Sequence, residues 1–191
     1  MKSTPTEKLI LGIDPGTQEM GYGLILAKGS KLSLVQYGVI HLKKYANHAI
    51  KLRKIHERII SILDEYAPDE VALEAPFVGQ NIQSALKLGR AQGVAMSAAL
   101  IRDIPITEYA PKKVKAAVTG NGNASKEQVA NMLMSMLKFK IDDNTLLDAT
   151  DALGVAVCHA YQKGNNINKA KSWNAFLKEN PNRISKIKKP R

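Results

Sequence analysis

The sequence predicts an α/β fold on a five-stranded mixed sheet in the order 3-2-1-4-5, flanked by helices. Three strand patterns come first, joined by a hairpin signal, and helix and strand patterns then alternate. The chain has 191 residues, 45% of them hydrophobic, enough for one substantial core and too few for two ordinary enzyme domains. One domain over residues 1–162 and a tail over 163–191 are therefore expected.

Lys8 to Asp14 is a short apolar run stopped by Asp-Pro-Gly-Thr, which reads as a buried strand ending in a turn. Met20 to Ala27 and Leu32 to Leu42 flank Lys28-Gly29-Ser30-Lys31, so the first three strands are expected to form an antiparallel meander. From Asn47 the period changes: Leu52, Ile55, Ile59, Ile62 and Leu63 recur at helical spacing until a stop near Pro68. Glu70 to Ala75 is a further buried strand before a proline. Ile82 to Ile101 reads as a helix rich in small residues, Ile104 to Tyr109 as the last strand, and Pro111 to Val118 as a short helix opened by its proline. Ser125 and Gln128 fit a capping box ahead of the apolar stripe Val129, Met132, Leu133, Met136 and Leu137, whose methionines read as core filler. Leu146 to Tyr161 is the last helix. A right-handed crossover from the third strand through the first helix places the fourth strand beside the first and parallel to it. Asp14 and Glu74, each at the carboxyl end of its strand, then become neighbours at one sheet edge, where open α/β sheets bind their ligands.

The formal charge of +11 is uneven: residues 1–162 hold 19 Lys+Arg against 16 Asp+Glu, whereas 163–191 hold nine against one. The tail, expected to be disordered, attracts polyanions, with nucleic acid and anionic membrane both allowed by charge alone. The longest apolar runs, such as Val94 to Ile101, fall well short of the roughly 18 to 20 residues of a membrane span. The opening Met-Lys-Ser-Thr-Pro-Thr-Glu lacks a signal-peptide core, so a cytoplasmic location is expected. A single cysteine, Cys158, excludes an internal disulfide, argues against a thiolate zinc site and reads as a small buried side chain.

Asp14 and Glu74 are acids inside apolar strands, Leu-Ile-Leu-Gly-Ile-Asp and Val-Ala-Leu-Glu, where a charge leaves water only if something compensates it. A divalent cation is one such compensator. Asp148 and Asp151 sit three apart on the last helix and share a face otherwise filled by apolar residues. Four carboxylates face one place if that helix packs on the sheet edge. Hard oxygen donors in that number suit Mg²⁺, with Mn²⁺ a second choice, rather than zinc. Two such ions about 3.5 to 4 Å apart activate a water and stabilise the leaving oxygen in phosphodiester hydrolysis. Singly, each acid also has an ordinary reading, as a turn starter or a helix cap; the joint pattern carries the metal expectation. Lys112, Lys113, Lys115 and Lys126 flank the loop Thr119 to Ala124 and are candidate phosphate contacts.

Gly-Ile-Asp-Pro-Gly-Thr (12–17), Ala-Leu-Glu-Ala-Pro-Phe (72–77), Ser-Ala-Leu-Lys-Leu-Gly-Arg-Ala-Gln-Gly-Val (84–94), Glu-Tyr-Ala-Pro-Lys-Lys-Val-Lys (108–115) and Asp-Ala-Thr-Asp-Ala-Leu (148–153) resemble, in order and spacing, the RuvC family of bacterial Holliday junction resolvases. The resemblance spans roughly residues 8–161. It implies a ribonuclease H-like fold, a cytoplasmic homodimer and paired metal-dependent nicks across a four-way DNA junction in recombination and repair. It also implies work beside a branch-migration helicase complex. By motif, Asp14, Glu74, Asp148 and Asp151 match the four metal-binding acids. Phe77 matches an aromatic beside the junction core, and Lys115 and Lys126 match DNA-binding lysines, with Lys87, Arg90, Lys112 and Lys113 as further DNA contacts. The dimer is expected to use the 82–101 helix, although its face of Ala85, Leu88, Ala91 and Ala95 reads equally as core. Some relatives carry a histidine where this chain has Asp148; His41, His48, His56 and His159 read as surface or boundary residues. The tail extends beyond the family pattern.

Two other classes remain open at this stage. Sugar kinases and actin-like ATPases share the opening strand with Gly-Ile-Asp-x-Gly-Thr, but they need two such domains to enclose a nucleotide, and the chain has no Walker-type loop. A catalytically silent DNA-binding module would use the basic tail alone, and the presence of all four acids speaks against it.

Overall fold

The computed structural model describes residues 7–76, 81–140 and 147–162. Phe77 with its loop and the tail from Lys163 lie outside the described residues. In chain order the elements are β1 (Glu7–Asp14), β2 (Glu19–Lys28), β3 (Lys31–His41), α1 (His48–Tyr66), β4 (Glu70–Glu74), α2 (Ile82–Leu100), β5 (Ile106–Tyr109), α3 (Pro111–Thr119), α4 (Lys126–Leu137) and α5 (Leu147–Tyr161). The sheet order is β3-β2-β1-β4-β5, as the crossover rule requires. β1 to β3 pair antiparallel, and β4 joins β1 in parallel with Ile13 opposite Leu73. Asp14 and Glu74 are therefore successive to a matched pair at one edge. Gly29, at φ 60°, opens the β2–β3 hairpin in the backbone region that favours glycine.

Strand alternation divides the core between the two faces of the sheet. Leu11 and Ile13 pack with Leu24 against Ile55, Ile59 and Ile62 of α1 and Ala91, Ala95 and Ala98 of α2. Ile10 and Ile25 face the other way, toward Leu153, Ala156 and Val157 of α5 and Val129, Leu133 and Leu137 of α4. Cys158 is buried, as expected. No helix among the described residues is long and apolar enough to cross a membrane.

Two readings need correction. Met132 is 41% exposed, because the stripe of α4 that meets the core runs through Val129, Ala130, Leu133 and Leu137. The last strand begins at Ile106 rather than Ile104. A turn through Asp103, at φ 55°, ties the Ile104 amide back to the Ala99 carbonyl and delays the strand. Of the α2 face that read equally as interface or core, Ala91 and Ala95 belong to the core, while the exposed apolar side chains at the start of the helix are Ile82 and Leu86.

Candidate metal and DNA site

The acid centre is assembled by α5 lying unusually close to the sheet. A Cβ on Gly12 would fall inside the contact radius of the Ala152 carbonyl and 2.8 Å from the Ala156 amide, and one on Gly21 would strike the Asp148 carbonyl. These glycines let a helix backbone rest on β1 and β2 without side chains between. By the period of two, Ile10, Gly12 and Asp14 share the α5 side of β1, and Glu70, Ala72 and Glu74 share the same side of β4. The facing stripe of α5 runs Asp148, Asp151, Val155 and His159, at the three- and four-residue steps of one helix face. Asp151 thus meets Asp14 and Glu74 at one end of the stripe. His159 meets Glu70 at the other, with Nε2 2.6 Å from Glu70 Oε2.

Burial and crowding set the charge states. Asp14 is pushed up to about 8, first by burial and then by Glu74 and Asp151. Glu74 rises to about 7 through burial and then Asp151, with Lys115 and Lys126 opposing. Asp151 is also raised, by burial. Asp148 lies below its ordinary value, because the hydrogen bond and charge of Lys126 outweigh burial. Lys126 Nζ sits 2.8 Å from both Asp148 Oδ1 and Asp151 Oδ2. Burial would make it less basic, but these two carboxylates more than offset that. The capping box of Ser125 and Gln128 fixes the start of α4 that carries this lysine.

The four predicted acids therefore share one electrostatic cluster, with Lys115 and Lys126 at its margin. Among the described residues, no three His, Cys, Asp or Glu side chains converge closely enough to cage an ion as they stand. The donor set still fits a hard divalent cation: four carboxylates from three elements repel one another, and Lys115 and Lys126 offset only part of the charge. Lys112 and Lys113 are exposed on α3, with Lys113 Nζ 5.2 Å from the Tyr109 ring centroid. Lys87 and Arg90 lie instead beside His48 at the head of α1. They help to depress its imidazole pKa, for which burial is the larger cause.

Sequence reasoning missed one network outright. His159, read as a boundary residue, links Glu70 to Tyr109, whose hydroxyl is 2.7 Å from Nδ1, and Glu70 also accepts from Lys8. A histidine one helical step beyond Val155 on the Asp148–Asp151 stripe was the available signal.

Comparison with known proteins gives a consistent picture. A family model described as crossover junction endodeoxyribonuclease RuvC matches residues 10–159. The chain is 62% identical over 182 residues to a protein of Cytophaga hutchinsonii with that name, covering 95% of this chain and 90% of the relative. The namesake from Bacteroides fragilis is 57% identical over 181 residues, covering 93% and 96%. Among solved structures, Thermus thermophilus RuvC matches with 31% identity and a TM-score of 0.72, covering 82% of this chain and 95% of that one. The T. thermophilus protein in complex with a Holliday junction substrate gives a TM-score of 0.74 at 31% identity, covering 82% and 94%.

Proposed function

This chain belongs to the RuvC family of crossover junction endodeoxyribonucleases, and from that premise we propose that it resolves four-way DNA junctions by metal-dependent nicks at the Asp14 edge. The observation that carries the reading is the convergence of Asp14, Glu74 and the Asp148–Asp151 pair from three elements on one strand-end edge. These acids would hold Mg²⁺ or Mn²⁺, two ions per site. When bound, such ions supply an activated water and charge stabilisation for the leaving oxygen.

The protein's own groups do the remaining work. Asp14 and Glu74, held by strand pairing, orient their carboxylates without the entropy cost of a loop. Lys115 and Lys126 present ammonium groups at the margin, where phosphate oxygens of the cut strand approach. Lys87, Arg90, Lys112 and Lys113 extend the cationic surface. Phe77, three residues after Glu74, would meet the strained junction centre and stack on a base. Two copies would pair through α2, whose exposed Ile82 and Leu86 need cover; each supplies one nick.

Cleavage of a synthetic four-way junction, with and without Mg²⁺, tests the proposal against a linear duplex of the same sequence. Paired nicks in the junction alone, abolished by EDTA, are expected. Equal cutting of both substrates, or cutting in EDTA, would reject it.

A further inference from the structure

We propose that the cleft between the end of β3 and the middle of α1 is a second phosphate-binding site, which grips the backbone of a duplex arm leaving the junction. This rests on the junction reading above and adds a contact surface to it.

The cleft has a volume of about 410 Å³ and is lined by His41, Lys44, Tyr45, Lys54, Glu57 and Arg58, among others. Its one acid is already neutralised, since Glu57 lies 2.7 Å from Lys54 and 3.5 Å from Arg53. Lys44 and Arg58 form no ion pair with a carboxylate among the described residues, which leaves a net cationic cleft. Arg58 is aimed by a buried scaffold: Nη2 donates to the Tyr22 hydroxyl at 2.7 Å, and the guanidinium carbon lies 5.3 Å from the Tyr22 ring centroid. Tyr22 is 5% exposed. It lies opposite Gly38 of β3, where a Cβ would come within 2.6 Å of the Tyr22 hydroxyl.

A phenol fixes the arginine fork without cancelling its charge and occupies one of its five N–H donors, so the rest suit phosphate oxygens. Lys44 lines the same cleft, its Nζ 5.3 Å from the Tyr45 ring centroid. The location favours DNA over a free anion. β3 ends, at His41, on the strand-end edge that carries Asp14, and His41 Nδ1 contacts Glu19 of β2 at 3.0 Å. The cleft opens on the α1 side of the sheet and Asp14 lies on the α5 side, so a duplex arm leaving a junction centred on the acids reaches the cleft by passing round the exposed end of β3.

The test is fluorescence anisotropy of wild type, Lys44→Ala and Arg58→Gln on four-way junctions with long and with short arms, in EDTA over a KCl series. Each variant should bind the long-arm junction about fivefold more weakly at low salt and lose roughly one unit of salt slope. Short-arm binding, and the cleavage rate of the bound complex in Mg²⁺, should not change. Lys44→Ala, on an exposed turn, keeps the test valid should Arg58→Gln fail to fold. Equal losses on long and short arms, or no loss in either variant, would overturn the proposal. Saturable binding of inorganic pyrophosphate that both variants abolish, with no arm-length effect, would do so as well, by assigning the cleft to free phosphate compounds. Failure of wild type to prefer four-way over duplex DNA sinks the functional reading itself. An intact preference without an arm-length effect sinks only the cleft.

Discussion

Replacing Lys126 with Met removes one ammonium that bridges Asp148 and Asp151 at 2.8 Å each, with little change of shape. Lys126 is 43% exposed and the acids 33% and 24%, so the pairs are partly screened and worth well under the buried-ion-pair scale. About 0.5 to 1 kcal/mol each is appropriate, or about 1.5 kcal/mol together. For a fold of this size that lowers the melting temperature by about 3 to 6 °C in EDTA. The same oxygens cannot serve both the lysine and a divalent ion. The acids released in the variant should therefore bind Mg²⁺ more tightly, and ligand linkage then offsets the lost stability as Mg²⁺ is added. Differential scanning fluorimetry in EDTA and across a Mg²⁺ series reads both effects. A deficit that persists unchanged at saturating Mg²⁺ would refute the exchange, and a variant melting no earlier than wild type in EDTA would refute the pairing.

Other substitutions probe separate parts of the account. Gly21→Ala places a methyl group against the Asp148 carbonyl, so α5 must move off β2; junction cleavage should fall at least tenfold and the melting temperature by several degrees, measured side by side. Glu70→Gln tests the half-buried network of Lys8, Glu70, His159 and Tyr109. The carboxyl of Glu70 is lowered: burial, the largest influence, raises it, but hydrogen bonds from Lys8 and His159 more than offset this. The stabilisation is therefore present above the ordinary glutamate pKa and lost as pH falls through the lowered one. Urea denaturation should show the variant about 1 to 2 kcal/mol less stable at pH 7 and converging with wild type once the pH falls below the lowered pKa of Glu70. Lys115→Ala should weaken binding to junctions of every sequence and reduce the salt slope by roughly one in anisotropy titrations; an unchanged slope would return Lys115 to the solvated surface.

What was legible in the sequence was whatever depends on local period and on chain direction. The apolar run ending at Asp14, the hairpin at Gly29 and the handed crossover together placed Asp14 beside Glu74. The spacing of Asp148 and Asp151 put them on one face of α5. Contacts set by how two helices pack were not legible. Lys126 lies across both acids only because α4 docks against α5; the sequence offered it as a DNA-contacting lysine and gave no sign that it pairs with Asp148 and Asp151. The Glu70–His159 contact joins residues 89 positions apart, and the Tyr22 hydroxyl that Arg58 contacts sits in the space that Gly38 leaves free, a reason no single-strand pattern contains. Met132 was misread because a helical stripe drawn by hydrophobicity alone was wider than the face that α4 turns to the core.

The central claim is that the four carboxylates form the metal centre at which the junction is cut. Its most direct test is the single-turnover nicking rate of Asp14→Asn on a labelled four-way junction in Mg²⁺, at protein concentrations where a gel shift shows full occupancy. An amide in place of the most buried of the four acids weakens metal binding without adding bulk. The rate should drop by about 10³ or more while junction binding stays within a few-fold of wild type. Nicking within tenfold of wild type by the bound variant would show that the metal, or the chemistry, lies elsewhere.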